Sequence, residues 1–204
     1  MDSFYYNTIE QPAMAEFKDR GSKFLAFAYP AKDIDTCKKL LAQLKKEYGK
    51  AVHYCLAYRL GVDGSTFRVS DNGEPAGSAG RPILGQIDSK GLTNVIVVVV
   101  RYFGGTLLGI PGLINAYKTA TALALQLSPI IKKPIEIPYE LNFDYHQMNE
   151  VMMLVKHYNC SVVEQTAQLF IQLHIGIPKN RLDEVLEKLG TLRDVTIKTT
   201  LKVD

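Results

Sequence analysis

The sequence predicts an α+β protein of two domains, and three observations carry that prediction. The run "LTNVIVVVV", Leu92 to Val100, is aliphatic without polar alternation and reads as a central strand covered on both faces. Residues 135–202 give the order β-α-β-β-α-β. Between these regions "QLSPIIKKPIEIPY" sets Pro129, Pro134 and Pro138 within ten residues. Proline lacks the amide donor and restrains its predecessor, so a helix ending near Leu127 gives way to extended chain and the joint falls near residue 133.

In the first half, "KFLAFAYPA" alternates and reads as a strand, and the first strand of the chain is expected to begin near residue 17. "DIDTCKKLLAQLKKEYG" is an amphipathic helix with Asp33 or Asp35 as N-cap, Leu40, Leu41, Leu44 and Tyr48 as its apolar stripe, and Gly49 as its stop. "AVHYCLAYRLG" and "STFRVSDNG" are strands joined by a turn at Asp63-Gly64. The polar loop "SDNGEPAGSAGRP" leads to a short helix around Ile83–Ile87, and "GLINAYKTATALALQL" is a helix after the central strand. In the second half, strand 135–144, helix 146–158, strands 160–166 and 168–177, helix 179–190 and strand 194–202 make a ferredoxin-like set of about 70 residues. Its hairpin is expected around Thr166–Ala167. His146 and His157 read as surface or cap residues, and His174 as a satisfied core residue on an apolar strand.

Composition excludes several classes. The longest aliphatic run, Val95 to Val100, is far short of the roughly 20 residues that span a bilayer. "MDSFYYNTIEQPAMAEF" lacks a basic segment followed by an apolar one, so no secretory signal is expected. Cys37, Cys55 and Cys160 have neither zinc-ligand spacing nor a disulfide framework, which suits a reducing cytoplasm. The net charge of +3 is unevenly spread: residues 1–134 carry 17 Lys and Arg against 11 Asp and Glu, and residues 135–204 carry 7 against 10. The basic half suits polyanionic partners.

The candidate site is the stretch "VVVVRYFGGTLLGIPGLINAY" together with the loop at 70–82. Glycines before a helix leave backbone amides free for an anion, and Arg101 adds a guanidinium. The expected anion- or nucleic-acid-binding set is Arg101, Tyr102, Phe103, Gly104, Gly105, Arg81, Arg68 and Arg59. Asp71, Glu74 and Ser78 stand at the edge of the groove. Aromatics beside arginines suit stacking on unpaired bases. No Gly-Lys-Ser/Thr follows, so no phosphate loop of a nucleotide hydrolase is formed, and the glycines also fit a tight strand-to-helix crossover. Asp71 and Glu74 offer too few oxygens for a hard cation, so neither a metal nor a cofactor is expected. "AGSAG" departs from a nucleophile elbow at Ala76, which weakens a triad of Ser78, His53 and Asp71.

"SDNGEPAGSAGRPIL" followed by "NVIVVVVRYFGGTLLG" resembles the signature of the IMPACT/YigZ family, in particular its bacterial YigZ-like members. The signature falls on Asp71, Gly73, Glu74 and Pro75, with Asn72 between the first two, and on Arg101, Tyr102, Phe103, Gly104, Gly105, Leu108 and Gly109. The resemblance covers essentially the whole chain. It implies residues 1–133 as an IMPACT-type domain like the second domain of ribosomal protein S5. It implies residues 134–204 as a ferredoxin-like domain similar to a late domain of elongation factor G. Both relatives sit on the ribosome or its RNA, which implies a cytoplasmic place close to translation, with RNA, the ribosome or a translation factor as partner. Eukaryotic members restrain a starvation-responsive kinase through a further N-terminal domain. With a first strand near residue 17 that domain is not expected here, and neither is the kinase role. The family brings no established catalytic residue. The sequence therefore favours a non-enzymatic binder of RNA or a ribonucleoprotein. The alternatives are an enzyme for a small phosphorylated or acyl substrate in the same groove, and a module that binds a partner's acidic segment.

Overall fold

The computed structural model describes residues 4–167 and 169–200, and the chain forms two compact units. One is Tyr6–Lys133; the other runs from Pro134 onward and includes Phe4 and Tyr5. The chain is mixed α/β.

In the first unit, apart from the end residues Tyr5 and Pro134, β1 (Tyr5–Ile9) pairs with β7 (Ile130–Pro134) in a two-stranded ribbon. The main sheet has five strands: β2 (Ala13–Asp19), β3 (Ser22–Pro30), β4 (His53–Leu60), β5 (Thr66–Ser70) and β6 (Val95–Tyr102). Their spatial order is β2-β3-β6-β4-β5, antiparallel throughout. The chain therefore enters its first strand at Tyr5, earlier than residue 17, and a complete hairpin precedes the helix. Its turn sets Arg20 at φ 44° and Gly21 at φ 78°, the left-handed pair of a two-residue hairpin.

Three helices cover this sheet. On one face α1 (Ile34–Glu47) packs Cys37, Leu40, Leu41 and Leu44 against Leu25, Phe27, Leu56, Ile96, Val98 and Val100. Asp33 caps it, accepting from the Thr36 amide at 2.7 Å. On the other face α2 (Gly80–Ser89) and α3 (Gly109–Gln126) bury Ile83, Ile87, Leu113, Ala116, Tyr117, Ala120 and Ala124 against Phe24, Ala26, Cys55, Val97 and Val99. Burial on both faces explains the unbroken run at Val95–Val100, every residue of which is fully enclosed. Alanines on α3 and on β3 and β4 let helix and sheet approach closely.

The second unit has β8 (Glu136–Phe143), α4 (Met148–His157), β9 (Ser161–Ala167), β10 (Ile171–Pro178), α5 (Leu182–Gly190) and β11 (Thr196–Thr199). The element order is β-α-β-β-α-β and the sheet order is β11-β8-β10-β9. Leu141, Phe143, Leu173, Ile175 and Ile177 meet Val151, Val155, Val185 and Leu189 in its core. Two expectations are corrected here. Thr166 and Ala167 do not form the hairpin turn: they pair with Gln172 and Ile171, and the connection follows them. His174 is half-buried on the sheet face opposite the core, where it pairs with Glu140 and Glu164 on its neighbours. The alternation Ile171, Leu173, Ile175 assigns the core face to the odd positions, which leaves His174 on the other.

Candidate functional site

Both signature segments arrive at the end of the main sheet where β4 begins and β6 ends. On β6, Val97, Val99 and Arg101 share the face turned to α2 and α3, so the strand alternation alone directs Arg101 under the helices. Arg101 is only 5% exposed. Its NH1 donates to Glu74 Oε1 at 2.6 Å, NH2 lies 3.5 Å from Ser22 Oγ, and the guanidinium lies 5.4 Å from the Phe24 ring and 5.6 Å from the Phe103 ring. Among the described residues its buried Nε has no hydrogen-bond partner.

Glu74 is the hub. Besides Arg101, its Oε1 accepts from the Tyr117 hydroxyl at 2.7 Å and lies 3.9 Å from His53 Nε2. Among the described residues nothing donates to Oε2. His53 Nδ1 lies 2.8 Å from the Asn72 carbonyl, which can only accept, so Nδ1 carries the hydrogen and in the neutral ring Nε2 is the acceptor. Cys55 Sγ donates to the Asp71 carbonyl at 2.9 Å and sits 3.3 Å from Tyr117 Oη. Burial, with Glu74 and Asp71 nearby, pushes the Cys55 thiol up to about 12, and burial likewise raises the Tyr117 phenol, which the neighbouring Cys55 and Glu74 raise further. Neither is a nucleophile at neutral pH.

The loop residues hold the site together. Asp71 accepts the backbone amides of Gly77, Ala79 and Gly80 at 2.8, 3.0 and 2.8 Å, so it caps α2 from eight and nine positions upstream. Burial pushes its carboxyl upward, but the three amides and Arg81 outweigh this and hold it below the usual range. Ser78 is fully enclosed and its hydroxyl donates to the Pro75 carbonyl at 2.6 Å. It is therefore a turn residue, and the triad considered with His53 and Asp71 has no reachable hydroxyl.

The remaining arginines and aromatics are not gathered in one groove. Tyr102 points to the α1 face, opposite Arg101. Arg59 is engaged, with Nε 2.8 Å from Asp88 and NH1 2.5 Å from the Gly64 carbonyl. Arg81 is exposed at the start of α2. Arg68 projects from β5 on the α1 face with no ion pair among the described residues. The glycines divide the same way. Gly104 lies against the β2–β3 turn: a Cβ there would fall 1.9 Å from the Gly21 carbonyl carbon, and its amide donates to Ser22 Oγ at 3.2 Å. Gly105, at φ 86°, is exposed with open space around it.

Two cavities flank this sheet end. The first, of about 410 Å³, lies between the signature segments, with Glu74, Arg101 and His53 at its base and Val52, Phe103, Leu107 and Ile110 around it. The first turn of α3 borders it, and no side chain caps that helix. The second, of about 300 Å³, opens on the opposite face between α1 and β5, with Lys38, Lys45 and Arg68 beside Tyr54, Ser70 and Asn72. Lys45 stands 5.9 Å from the Tyr54 ring and Lys38 pairs with Asp35 at 3.0 Å. Lys38, Leu41 and Lys45 share one stripe of α1. The sequence offered that spacing, but not which strand it faces. Nor did it offer Tyr117, one residue of an apolar helix whose hydroxyl only the fold brings to Glu74.

The Impact N-terminal domain matches residues 20–125, and the chain belongs to the IMPACT family. It is similar to IMPACT family member YigZ of Escherichia coli, 33% identical over 172 residues that cover 83% of this chain and 84% of that one. A second relative, the Protein IMPACT homolog of Saccharomyces cerevisiae, is 42% identical over 96 residues, 45% of this chain and 36% of that one. A crystal structure of a hypothetical protein superposes with a TM-score of 0.77 at 26% identity, covering 99% of this chain and all of that one. Among the described residues no helix is long and apolar enough to cross a membrane.

Proposed function

We propose that the chain is an RNA-binding protein that acts close to translation, and that its backbone-contacting surface is the α1–β5 cleft rather than the buried Arg101. The observation that carries this is the cleft itself: Lys38, Lys45 and Arg68 face one cavity whose described lining holds no carboxylate, Asp35 pairs with Lys38, and Tyr54, Ser70 and Asn72 add polar contacts. Cations set around a cleft on a basic domain are what a phosphate backbone attracts. Arg101 is already neutralised by Glu74, so it adds little field at the surface. No hydroxyl or thiol at the site is poised as a nucleophile, which favours binding over turnover. The family signature and its implied ribosomal relatives supply the link to translation. We read Tyr6–Lys133 as the S5 domain 2-like domain and the unit from Pro134 onward as the ferredoxin-like domain; the strand order β11-β8-β10-β9 supports the latter.

The test is binding of short single-stranded and duplex RNA across a salt series, with Lys45→Glu and Arg68→Glu beside wild type. Steeply salt-dependent binding is expected, about tenfold or more weaker in each variant at low salt, with a shallower salt slope. Binding to acidic peptides but not to RNA, or RNA binding indifferent to both substitutions, sinks the reading.

A further inference from the structure

We infer that the cavity between the signature segments is a pocket for a single unstacked nucleobase. This extends the RNA reading, but it rests on a different set of residues. The cavity of about 410 Å³ is within the range of small-ligand sites and roomy enough for a base. Its rim is apolar and open: Phe103 is 47% exposed, Leu107 82% and Ile110 53%, and all three line it. Exposed side chains of this size around a cavity are the apolar surface a ligand's faces would cover. Phe103 has the Arg101 guanidinium near its ring, an arrangement that extends one π-surface for stacking.

The floor selects the head group. Glu74 is almost wholly buried, yet its Oε2 has no donor among the described residues, and His53 presents Nε2 as an acceptor in its neutral ring. That oxygen is not sealed off by protein, since among the described residues the enclosed unpartnered side-chain atoms are Arg101 Nε and Gln147 Oε1, so a donor that enters the cavity can reach it. Because Arg101 cancels the charge of Glu74, the floor is neutral as a whole and a cationic donor gains nothing there. At the edge, the uncapped first turn of α3 supplies backbone donors. A neutral, flat ligand carrying an N–H donor beside a ring acceptor meets all three conditions, as the edge of a nucleobase does.

The placement favours a base over the amide side chain of a peptide. Asn72, held at φ 42°, touches the residues of both cavities: its carbonyl faces His53 Nδ1, and its side-chain oxygen accepts from the Tyr54 amide at 2.7 Å. His53 lines the base pocket, while Tyr54 and Asn72 line the basic cleft on the opposite face. A single strand passing over the 71–75 loop would keep its phosphates by Lys45 and Arg68 and turn one base over the rim against Phe103.

The experiment compares a ten-nucleotide adenine RNA with an abasic strand of the same length and charge, and with free adenosine followed by NMR at Phe103 and Ile110. Wild type is expected to bind the adenine strand about tenfold or more tightly than the abasic one. Phe103→Leu and Ile110→Trp, both at exposed positions, should remove that difference and leave abasic binding unchanged. If the two strands bind equally and adenosine moves no pocket signal, the base pocket is refuted. Loss of both strands in Lys45→Glu in that case would leave the cleft reading standing. If neither strand binds but adenosine shifts the pocket signals and Ile110→Trp abolishes the shifts, the pocket stands for free nucleosides and the cleft reading falls. Shifts caused by an asparagine amide but by no nucleoside would assign the pocket to a peptide and overturn the inference.

Discussion

Replacing Arg101 by alanine tests whether this arginine is part of the fold or part of a surface. Its side chain is 6% exposed and that of Glu74 is 3% exposed, with 2.6 Å between them. Removing one partner of such a pair leaves a buried carboxylate supported only by the Tyr117 hydroxyl, and losses of this kind cost about 3–5 kcal/mol. For a unit of this size that corresponds to a fall in Tm of roughly 10–20 °C. Glu74→Gln, which strands the guanidinium, should cost a comparable amount. Arg101→Met with Glu74→Gln removes both charges at similar volume and should recover most of the loss, to within about 1–2 kcal/mol of wild type. The assay is urea unfolding followed by far-UV circular dichroism, since the chain has no tryptophan. If Arg101→Ala lies within about 0.5 kcal/mol of wild type, or if the two single losses simply add, the side chain is not locked to Glu74 as described. Activity or binding lost in Arg101→Ala is therefore uninformative until stability has been measured.

Two further outcomes follow from the same end of the sheet. Asp71→Ala leaves the amides of Gly77, Ala79 and Gly80 without their acceptor and should destabilise the fold by about 2–4 kcal/mol, read by denaturant unfolding. The Asp71 carboxyl is held below its ordinary value, so its stabilisation is fully present above the unfolded value near 4, is lost as pH falls through the folded value, and is absent from the acid limb in the variant. Gly104→Ala drives a methyl into the Gly21 backbone and should cost about 3 kcal/mol or more, whereas Gly105→Ala meets open space and should cost only about 1 kcal/mol for its left-handed φ. Thermal melts giving equal losses for the two would overturn the assignment of Gly104 to packing.

Much of the fold was legible because its strongest signals are local. Val95–Val100 could only be a strand enclosed on both sides, Asp33 announced α1, and the periodicity of residues 135–202 gave their element order. The hairpin β2–β3 was missed at its first strand because "AMAEFKD" alternates only weakly and its turn is Arg20-Gly21, not an Asn-Gly or Asp-Gly pair. In the candidate site, the sequence placed the two signature segments side by side, and the structure adds that Arg101 lies buried against Glu74. An arginine after five valines and an isoleucine looks the same whether it emerges into water or tucks under a helix; Glu74, 27 positions from it, and Tyr117, 43 positions from Glu74, decide which. The basic cleft was hidden for a similar reason. Nothing in the sequence of α1 says that β5 lies beside Lys38 and Lys45; the fold alone sets Arg68 across from them.

The span of those hydrogen bonds has a kinetic consequence. Glu74 reaches residues 27 and 43 positions off, and Ser22 reaches Gly104 across 82. Contacts of such high sequence separation carry the largest loop-closure cost and form when the chain's topology is already complete. A partly folded or nascent chain can hold α1 and its lysines, but it has no Glu74–Arg101–Tyr117 junction and hence no cavity above it. The junction thus reports, on the molecule itself, that folding has finished, and whatever enters the cavity can engage finished molecules alone.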